Sequence, residues 1–139
     1  MRVSFTGTRR GMSPEQKKAL REFLTKYKPE ITAFSHGCCA GADIEAHQIV
    51  REVLGQKVHI SVFPSTAQTR AAIPQDADYI HDRLDPLERN SLIVEAGEVL
   101  FAAPFQDSQI RRSGTWATVR CARRQCKLVM VAPRGSITE

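Results

Sequence analysis

Three turns that contain glycine constrain the fold of this 139-residue chain more than any other feature of its sequence. They cover residues 6–10, 35–43 and 111–118; each follows an apolar segment typical of a strand and precedes a segment typical of a helix. Where a strand turns through glycine into a helix, the first backbone N–H groups of the helix are unpaired, and the positive end of its dipole lies there. Such turns bind anions. The sequence therefore predicts alternating strands and helices and a phosphate site where the turns meet.

The same alternation continues from end to end of the chain. Two helices have clear start signals, because Ser13 and Asp85 are each followed by proline and then by Gln16 or Glu88 at the third helical position, as in a capping box. The predicted strands are residues 2–6, 31–35, 57–63, 98–103 and 127–132, and the predicted helices are 13–27, 40–54, 85–96 and 115–124.

Strands that alternate with helices pair in parallel through right-handed crossovers. The predicted strands are short and rich in Val, Ile, Leu and Phe, which is typical of a sheet covered on both faces. We therefore predict an α/β fold with a doubly wound parallel sheet of five main strands, order 3-2-1-4-5, and helices on both faces. Ligands of such sheets bind beyond the carboxyl ends of the strands, where the winding reverses. The glycine turns follow strands 1, 2 and 4, so they converge on that crevice.

Residues 64–85 interrupt the alternation. They show no clear periodicity and include Pro64 and Pro74. A stretch of this length between elements is usually functional or mobile. We expect it to determine which ligand is selected, and we expect Arg70 within it to close over a bound ligand as part of a lid.

The composition predicts one ordinary soluble domain over residues 1–139. Apolar residues make up 42% of the chain and charged residues 25%, as in globular proteins. No apolar stretch approaches the roughly 18 residues that span a membrane. The chain runs from Met1 straight into a strand, so we expect no signal peptide and a cytoplasmic location. The four cysteines lack metal or redox spacing and are expected to be reduced, and neither a metal nor a cofactor is predicted.

The turns are more specific together than singly, since none of them is a dinucleotide fingerprint or a P-loop. Thr-Gly-Thr-Arg at 6–9, the His-Gly to Gly-Ala-Asp run at 36–43, Leu-Glu-Arg-Asn at 87–90 and Arg-Ser-Gly-Thr-Trp-Ala-Thr at 112–118 resemble the SLOG superfamily over nearly the whole chain. The resemblance is strongest to a small stand-alone branch related to DNA-processing protein A. It implies a Rossmann-like nucleotide-binding domain. Because the superfamily includes LOG-type phosphoribohydrolases, single-stranded DNA binders and nucleotide sensors, it implies a pocket rather than one reaction.

The resemblance also implies roles for individual residues. Gly114 and Thr115 match the Gly-Thr of the LOG motif G-G-x-G-T-x-x-E, so their N–H groups and the Thr115 hydroxyl are expected to hold phosphate, with Ser113 as cap and donor. Arg89 matches the arginine that LOG-type enzymes place over the phosphate and ribose. The catalytic glutamate of the motif falls on Thr118, which cannot offset the charge of an oxocarbenium-like state.

Other residues are singled out by their position in the turns. Arg9 follows the first turn and can reach a ligand with a bidentate fork. Asp43, in the first turn of the second helix, either binds a ribose hydroxyl or complements the helix dipole. Trp116 either stacks on a base or anchors the packing of its helix. The predicted ligand-binding residues are Gly7, Thr8, Arg9, His36, Gly37, Gly41, Asp43, Arg89, Asn90, Ser113, Gly114 and Thr115. In an enzyme, Asp43 and Arg89 would be the catalytic residues.

Three functions follow as hypotheses. The first is binding of a nucleotide or nucleotide-derived ligand, of nucleoside monophosphate or ADP-ribose type, without turnover; the three turns and Thr118 favour it. The second is a phosphoribohydrolase that uses Asp43 in place of the glutamate. The third is single-stranded DNA binding, which an aromatic content of 6% disfavours, since single-strand grooves stack bases on several rings. The arginines available to the third are Arg111, Arg112, Arg120, Arg123 and Arg124. A homodimer or higher homo-oligomer and no membrane partner are expected.

Overall fold

The fold was obtained as a computed structural model, which describes residues 1–67, 73–109 and 113–135. The strands are β1 Arg2–Gly7, β2 Ala33–His36, β3 His59–Val62, β4 Tyr79–Ile80, β5 Val99–Ala103 and β6 Leu128–Val131. The helices are α1 Pro14–Lys26, α2 Ala42–Leu54, α3 Pro86–Ala96 and α4 Gly114–Arg124. Strands and helices therefore alternate as predicted, apart from one additional strand.

The six strands form one parallel sheet in the order β4-β3-β2-β1-β5-β6. In the middle of the sheet, Ser4 of β1 is paired with Ser35 of β2 on one side and with Leu100 of β5 on the other. The order predicted for the five main strands is confirmed. The winding reverses between β1 and β5, which places the carboxyl ends of these central strands at a crevice.

The predicted number of five strands is wrong, because β4 adds a sixth at the edge next to β3. This strand has two residues, both exposed, and lies within the stretch that showed no periodicity. Long-range contacts hold it: the Ile60 N–H donates to Asp78 Oδ2 at 2.8 Å, and the Asp78 N–H donates to the Ile60 carbonyl at 2.9 Å. A strand this short takes its conformation from its neighbour, so the sequence pattern does not reveal it.

The two faces of the sheet carry separate apolar clusters. Alternate residues of β5 belong to different clusters, with Phe101 on the side of α1 and α2 and Leu100 on the side of α3 and α4. This is the period of two expected of a strand covered on both faces. In the described ranges, none of the helices is long and apolar enough to cross a membrane.

The predicted cap of α1 is confirmed. Ser13 Oγ accepts a hydrogen bond from the Gln16 N–H at 3.2 Å, and Gln16 Oε1 accepts one from the Ser13 N–H at 3.1 Å. Asp85 caps α3 by accepting from the N–H groups of Leu87 and Glu88. The first turns of α3, through Pro86, Arg89 and Asn90, line the crevice.

Candidate functional site

A cavity of about 450 Å³ opens at the carboxyl ends of the central strands. Its wall combines the turns that follow β1 and β2 with the first turns of α3 and α4. All of the predicted ligand-binding residues line this cavity except His36 and Gly41. Residues that line it without being predicted as ligand-binding include Phe5, Thr6, Arg10, Cys39, Phe105 and Thr118.

The first turn of α4 faces the cavity with backbone donors. Ser113 is the N-cap, and its Oγ accepts a hydrogen bond from the Trp116 N–H at 3.2 Å, which leaves the hydroxyl proton available to a second partner. A Cβ at Gly114 would meet no atom within 4 Å among the described residues outside its own helix turn, so a ligand can approach the backbone closely. The N–H groups of Gly114 and Thr115 precede the first intrahelical hydrogen bond, from Ala117 to Ser113, and are suited to an anion.

Arg89 enters the cavity from α3 and is held by backbone carbonyls. Its Nη1 donates to the carbonyls of Gly37 at 2.9 Å and Phe63 at 3.3 Å, and its Nε donates to Asn90 Oδ1 at 3.0 Å. The residue is only 8% exposed. Within the described residues, Nη2 donates no hydrogen bond. A Cβ at position 37 would overlap Nη1, so glycine there is what allows the guanidinium to lie against the turn.

Asp43 lies in the cavity wall at the start of α2 and is 3% exposed. Its Oδ2 accepts a hydrogen bond from the Cys39 N–H at 3.0 Å, whereas Oδ1 is buried and has no partner among the described residues. Burial raises the pKa of Asp43 to about 6, although the Cys39 amide and the Arg89 guanidinium act to lower it. The carboxylate is therefore ionised at neutral pH but poorly stabilised by the protein alone.

The charges that line the cavity favour an anion. Among the described residues of its wall are three arginines, Arg9, Arg10 and Arg89, and a single carboxylate, Asp43. Guanidinium groups bind phosphate through paired hydrogen bonds, and the first turn of α4 adds the positive end of a helix dipole. An anionic ligand with at least one uncharged polar group matches this combination.

Two aromatic residues near the cavity are already engaged. The guanidinium groups of Arg10 and Arg134 lie 4.3 and 4.4 Å from the centroid of the Phe105 ring, as in cation–π contacts. Trp116 is 4% exposed within the cluster under α3 and α4, and its Nε1 donates to the Gln106 carbonyl at 3.1 Å. Of its two predicted roles, Trp116 is thus placed as the packing anchor.

His36 does not line the cavity. In extended β2 its side chain shares a face with Phe34, and it is fully buried. The Cys38 N–H donates to His36 Nδ1 at 3.1 Å, His36 Nε2 lies 2.9 Å from His47 Nδ1, and His47 Nε2 lies 2.8 Å from Asp76 Oδ1. Burial, and then the neighbouring His47, lower the pKa of His36 to about 3. Since His36 Nδ1 accepts a hydrogen bond, the hydrogen of the neutral His36 ring lies on Nε2 and is donated to His47 Nδ1. The hydrogen of the neutral His47 ring then lies on its Nε2 and is donated to Asp76.

Gly41 lies behind the cavity wall, where it joins two of the predicted turns. Its φ is +88°, and a Cβ there would overlap the Arg9 carbonyl oxygen. The neighbouring Ala42 N–H donates to the Thr8 carbonyl at 3.0 Å, and a Cβ at Gly7 would overlap the Ala42 side chain. These glycines allow α2 to begin directly against the end of β1, and so bring Asp43 to the cavity.

Thr118, at the position of the LOG-type glutamate, lines the cavity and is buried. Its hydroxyl donates to the Gly114 carbonyl one turn earlier at 3.1 Å. The Thr118 hydroxyl proton is therefore used within α4, and the side chain offers no carboxylate to a ligand.

Six further arginines were predicted to contact a ligand or DNA. Arg70, Arg111 and Arg112 lie outside the described residues. The other three do not line the cavity; they follow the cavity-facing N-terminus of α4 by six residues or more, which is at least roughly 9 Å along the axis. They are Arg120, Arg123 and Arg124.

Across residues 1–67, 73–109 and 113–135, no three His, Cys, Asp or Glu side chains come together as a metal site. Cys38, Cys39, Cys121 and Cys126 form no disulfide, and burial raises the pKa of the Cys38 thiol to about 12.

No family model and no curated protein matches the sequence. The fold is similar to that of the molybdenum cofactor binding protein from the phototrophic bacterium Rippkaea orientalis, with a TM-score of 0.70 and 17% identity over 94% of this chain and 74% of that one. It is also similar to DNA processing protein A from Streptococcus pneumoniae, with a TM-score of 0.70 and 18% identity over 99% of this chain and 52% of that one.

A third similar structure, of DNA processing protein A from Helicobacter pylori, describes a single-stranded DNA binding mode; its TM-score is 0.64 and its identity 18%, over 94% of this chain and 64% of that one. The chain thus spans about half of the first DNA processing protein A and less than two thirds of the second. The likeness to DNA-processing protein A that the resemblance implied is confirmed at the level of the fold. At such low identities the similarity concerns the fold alone.

Proposed function

We propose that this SLOG-type domain binds a nucleotide or nucleotide-derived ligand in the cavity, with its phosphate at the first turn of α4. The carrying observation is the open space above Gly114, which with Thr115 lies in a wall shared with Arg9 and Arg89. Unpaired N–H groups, a helix dipole and guanidinium groups all recur in protein phosphate sites. These elements require an anionic group on the ligand, and Asp43 requires a neutral group that donates a hydrogen bond. A nucleotide has both.

The similar folds do not identify the ligand of this domain. One neighbour is named for molybdenum cofactor binding and another for single-stranded DNA binding, so the same architecture serves different ligands. The choice must come from the side chains of this chain. The cavity of about 450 Å³ is within the size range of small-molecule sites, which favours a mononucleotide-sized ligand.

Isothermal titration with AMP, adenosine and inorganic phosphate tests the proposal. Gly114→Val should weaken AMP binding at least ten-fold, because the added side chain would project into open space that the phosphate needs. Ala117→Val is the matched control, since it adds a β-branched side chain to the same helix outside the cavity wall. Equal affinity of AMP for both variants, or equal affinity of the wild type for AMP and adenosine, would refute the phosphate site.

A second candidate function is hydrolysis of the N-glycosidic bond of a nucleoside monophosphate. The buried Asp43 carboxylate favours it, since a carboxylate near C1′ stabilises the positive charge of the transition state. The oxygen of water bonds to C1′, the C1′–N bond breaks, and the base leaves with a proton from that water. Chromatography should then detect free base with the wild type and none with Asp43→Asn. Intact AMP after prolonged incubation with the wild type would exclude this activity for AMP.

Single-stranded DNA binding is a third candidate, favoured by the fold of DNA processing protein A. Arg123 and Arg124 are exposed, but they occupy the end of α4 opposite the cavity. A DNA strand that contacted the cavity and these two arginines would have to follow the length of α4. The affinity for an oligothymidylate should then fall steeply with salt and fall further in an Arg123→Gln, Arg124→Gln double variant. Unchanged affinity in that variant would exclude this path.

A further inference from the structure

A buried pair of histidines, His36 and His47, lies next to the turn that follows β2 in the cavity wall. His36 Nε2 is 2.9 Å from His47 Nδ1. At one end of the pair the Cys38 N–H donates to His36 Nδ1 at 3.1 Å, and at the other end His47 Nε2 is 2.8 Å from Asp76 Oδ1. All four ring nitrogens are therefore engaged, and the two neutral rings share two hydrogens.

A third hydrogen can join this pair at one nitrogen only. The bridge between His36 Nε2 and His47 Nδ1 holds one hydrogen whichever ring carries it, and His47 Nε2 already donates its own to Asp76. The remaining nitrogen is His36 Nδ1, which accepts from the Cys38 N–H. An N–H group has no lone pair with which to accept, so a hydrogen on Nδ1 would face the amide hydrogen and break this bond. Protonation of the pair is therefore incompatible with the present position of the Cys38 amide.

The surrounding charges favour His47 as the ring that holds the positive charge. Arg51 Nε is 3.2 Å from Asp76 Oδ2 and its Nη2 is 2.8 Å from Asp78 Oδ2, so two carboxylates outweigh one guanidinium beside this ring. His36 then remains neutral, with its hydrogen on Nδ1. Burial lowers the pKa of His47, and burial and then His47 lower the pKa of His36 to about 3, so the proton is added in acid. On the side of α2 that packs against α1, the charges pair with one another, as Lys17 with Glu45 and Arg21 with Glu52.

The Cys38 amide belongs to a turn that contacts two charged side chains of the cavity. The Gly37 carbonyl accepts from Arg89 Nη1 at 2.9 Å. The Cys39 N–H donates to Asp43 Oδ2 at 3.0 Å. Cys38 itself has a φ of +59°, a conformation that residues other than glycine keep only where their surroundings impose it. Loss of its hydrogen bond to the histidine should therefore let the turn relax and displace both contacts.

We propose that the histidine pair is a proton switch for the cavity: one added proton reverses the tautomer of His36, displaces the Cys38 amide and weakens ligand binding. The movement of the turn follows from the hydrogen bonds of the pair, whereas its effect on binding rests on the proposed function. Because linkage is reciprocal, a ligand that needs the turn in its present position also opposes protonation of the pair. Affinity is therefore full at neutral pH and is lost as the pH falls.

The test follows the ligand-free, ¹⁵N-labelled protein by NMR from pH 8 to pH 4. We expect His36 to carry its hydrogen on Nε2 at neutral pH and on Nδ1 in acid, and the Cys38 amide signal to shift with the same midpoint. Asp76→Asn keeps an oxygen that accepts from His47 but removes the charge that favours the cation, so the midpoint should fall by about 0.5 pH units or more. Asp82→Asn is the matched control, because it removes an exposed carboxylate just beyond β4, and it should keep the wild-type midpoint.

Two results of this experiment would overturn the inference. One is a His36 ring that keeps its hydrogen on Nε2 down to pH 4, or that titrates without any shift of the Cys38 amide. The other is an unchanged midpoint in Asp76→Asn, since the Cys38 amide would then respond to the ionisation of Asp43 rather than to the histidine pair.

A second measurement connects the switch with the ligand. AMP is titrated at pH 7.5 and pH 4.5 into the wild type and Asp76→Asn, because the ionisation of Asp43 and of the phosphate affects both proteins alike. Between these pH values the wild type should lose at least two-fold more affinity than the variant does. Equal losses would overturn the regulation of binding and leave the phosphate site standing. If AMP did not bind the wild type at pH 7.5, the proposed function would fail, and the regulation of binding with it.

Discussion

Replacing Asp43 with asparagine should change how the stability of the protein depends on pH. The pKa of Asp43 is raised by burial to about 6 in the folded state, from 3.8 in an unfolded chain. Between these two values the folded state binds the proton more tightly than the unfolded state does. The contribution of Asp43 to stability is therefore fully present below pH 3.8 and is lost as the pH rises toward 6.

The size of the effect follows from the shift. Each pKa unit corresponds to about 1.4 kcal/mol, so a shift of roughly two units amounts to about 3 kcal/mol at neutral pH. Asparagine has nearly the same shape and does not ionise. Relative to the wild type, Asp43→Asn should therefore gain about 3 kcal/mol in free energy of unfolding between pH 4 and pH 7, or roughly 10 °C in Tm.

Urea unfolding of both proteins at several pH values, without ligand, measures this difference. The comparison matters because His36 has the opposite effect: burial and the neighbouring His47 lower its pKa to about 3, so the stability due to neutral His36 is lost as the pH falls from 6.5 toward 3. Both proteins contain His36, and its contribution cancels in the difference. A difference in unfolding free energy that stays constant from pH 4 to pH 7, or that declines, would refute the reasoning.

Two further substitutions test other contacts of the site and its support. Gly37→Ala should displace Arg89, because the new Cβ overlaps Nη1, and should weaken AMP binding at least ten-fold in titrations; full affinity would mean that Arg89 does not contact the ligand from this position. His47→Ala leaves the buried His36 without its partner and should lower the free energy of unfolding by about 1–3 kcal/mol. The exposed His59→Ala should lower it by less than about 0.5 kcal/mol, and equal losses in urea unfolding would contradict the assigned network.

The elements that could be predicted from the sequence are those with local causes. Ser13 with Gln16 marks the start of α1 through contacts within one turn, and the alternation of strands and helices leads to the order of the five main strands. The edge strand Tyr79–Ile80 could not be predicted, because its conformation depends on pairing with β3 and on contacts from Arg51 and Asp78.

Side-chain direction explains the differences within the candidate site. His36 was expected to line the pocket because it ends a strand, yet the period of two already places it on the face of Phe34 and toward α2. That signal was present in the sequence. The bonds from Arg89 to the carbonyls of Gly37 and Phe63 were not, since they join segments 52 and 26 residues apart through packing that only the folded chain creates.

The hydrogen-bond chain from Cys38 through His36 and His47 to Asp76 has a consequence for how the molecule opens. It ties the turn beneath the cavity to the segment that leads into the edge strand, and Arg51 binds that segment at both Asp76 and Asp78. Breaking any one of these hydrogen bonds leaves both its donor and its acceptor without a partner. The site turn and the sheet edge should therefore detach together, as one cooperative unit of local unfolding, with matched rates of amide hydrogen exchange at Cys38 and Ile60.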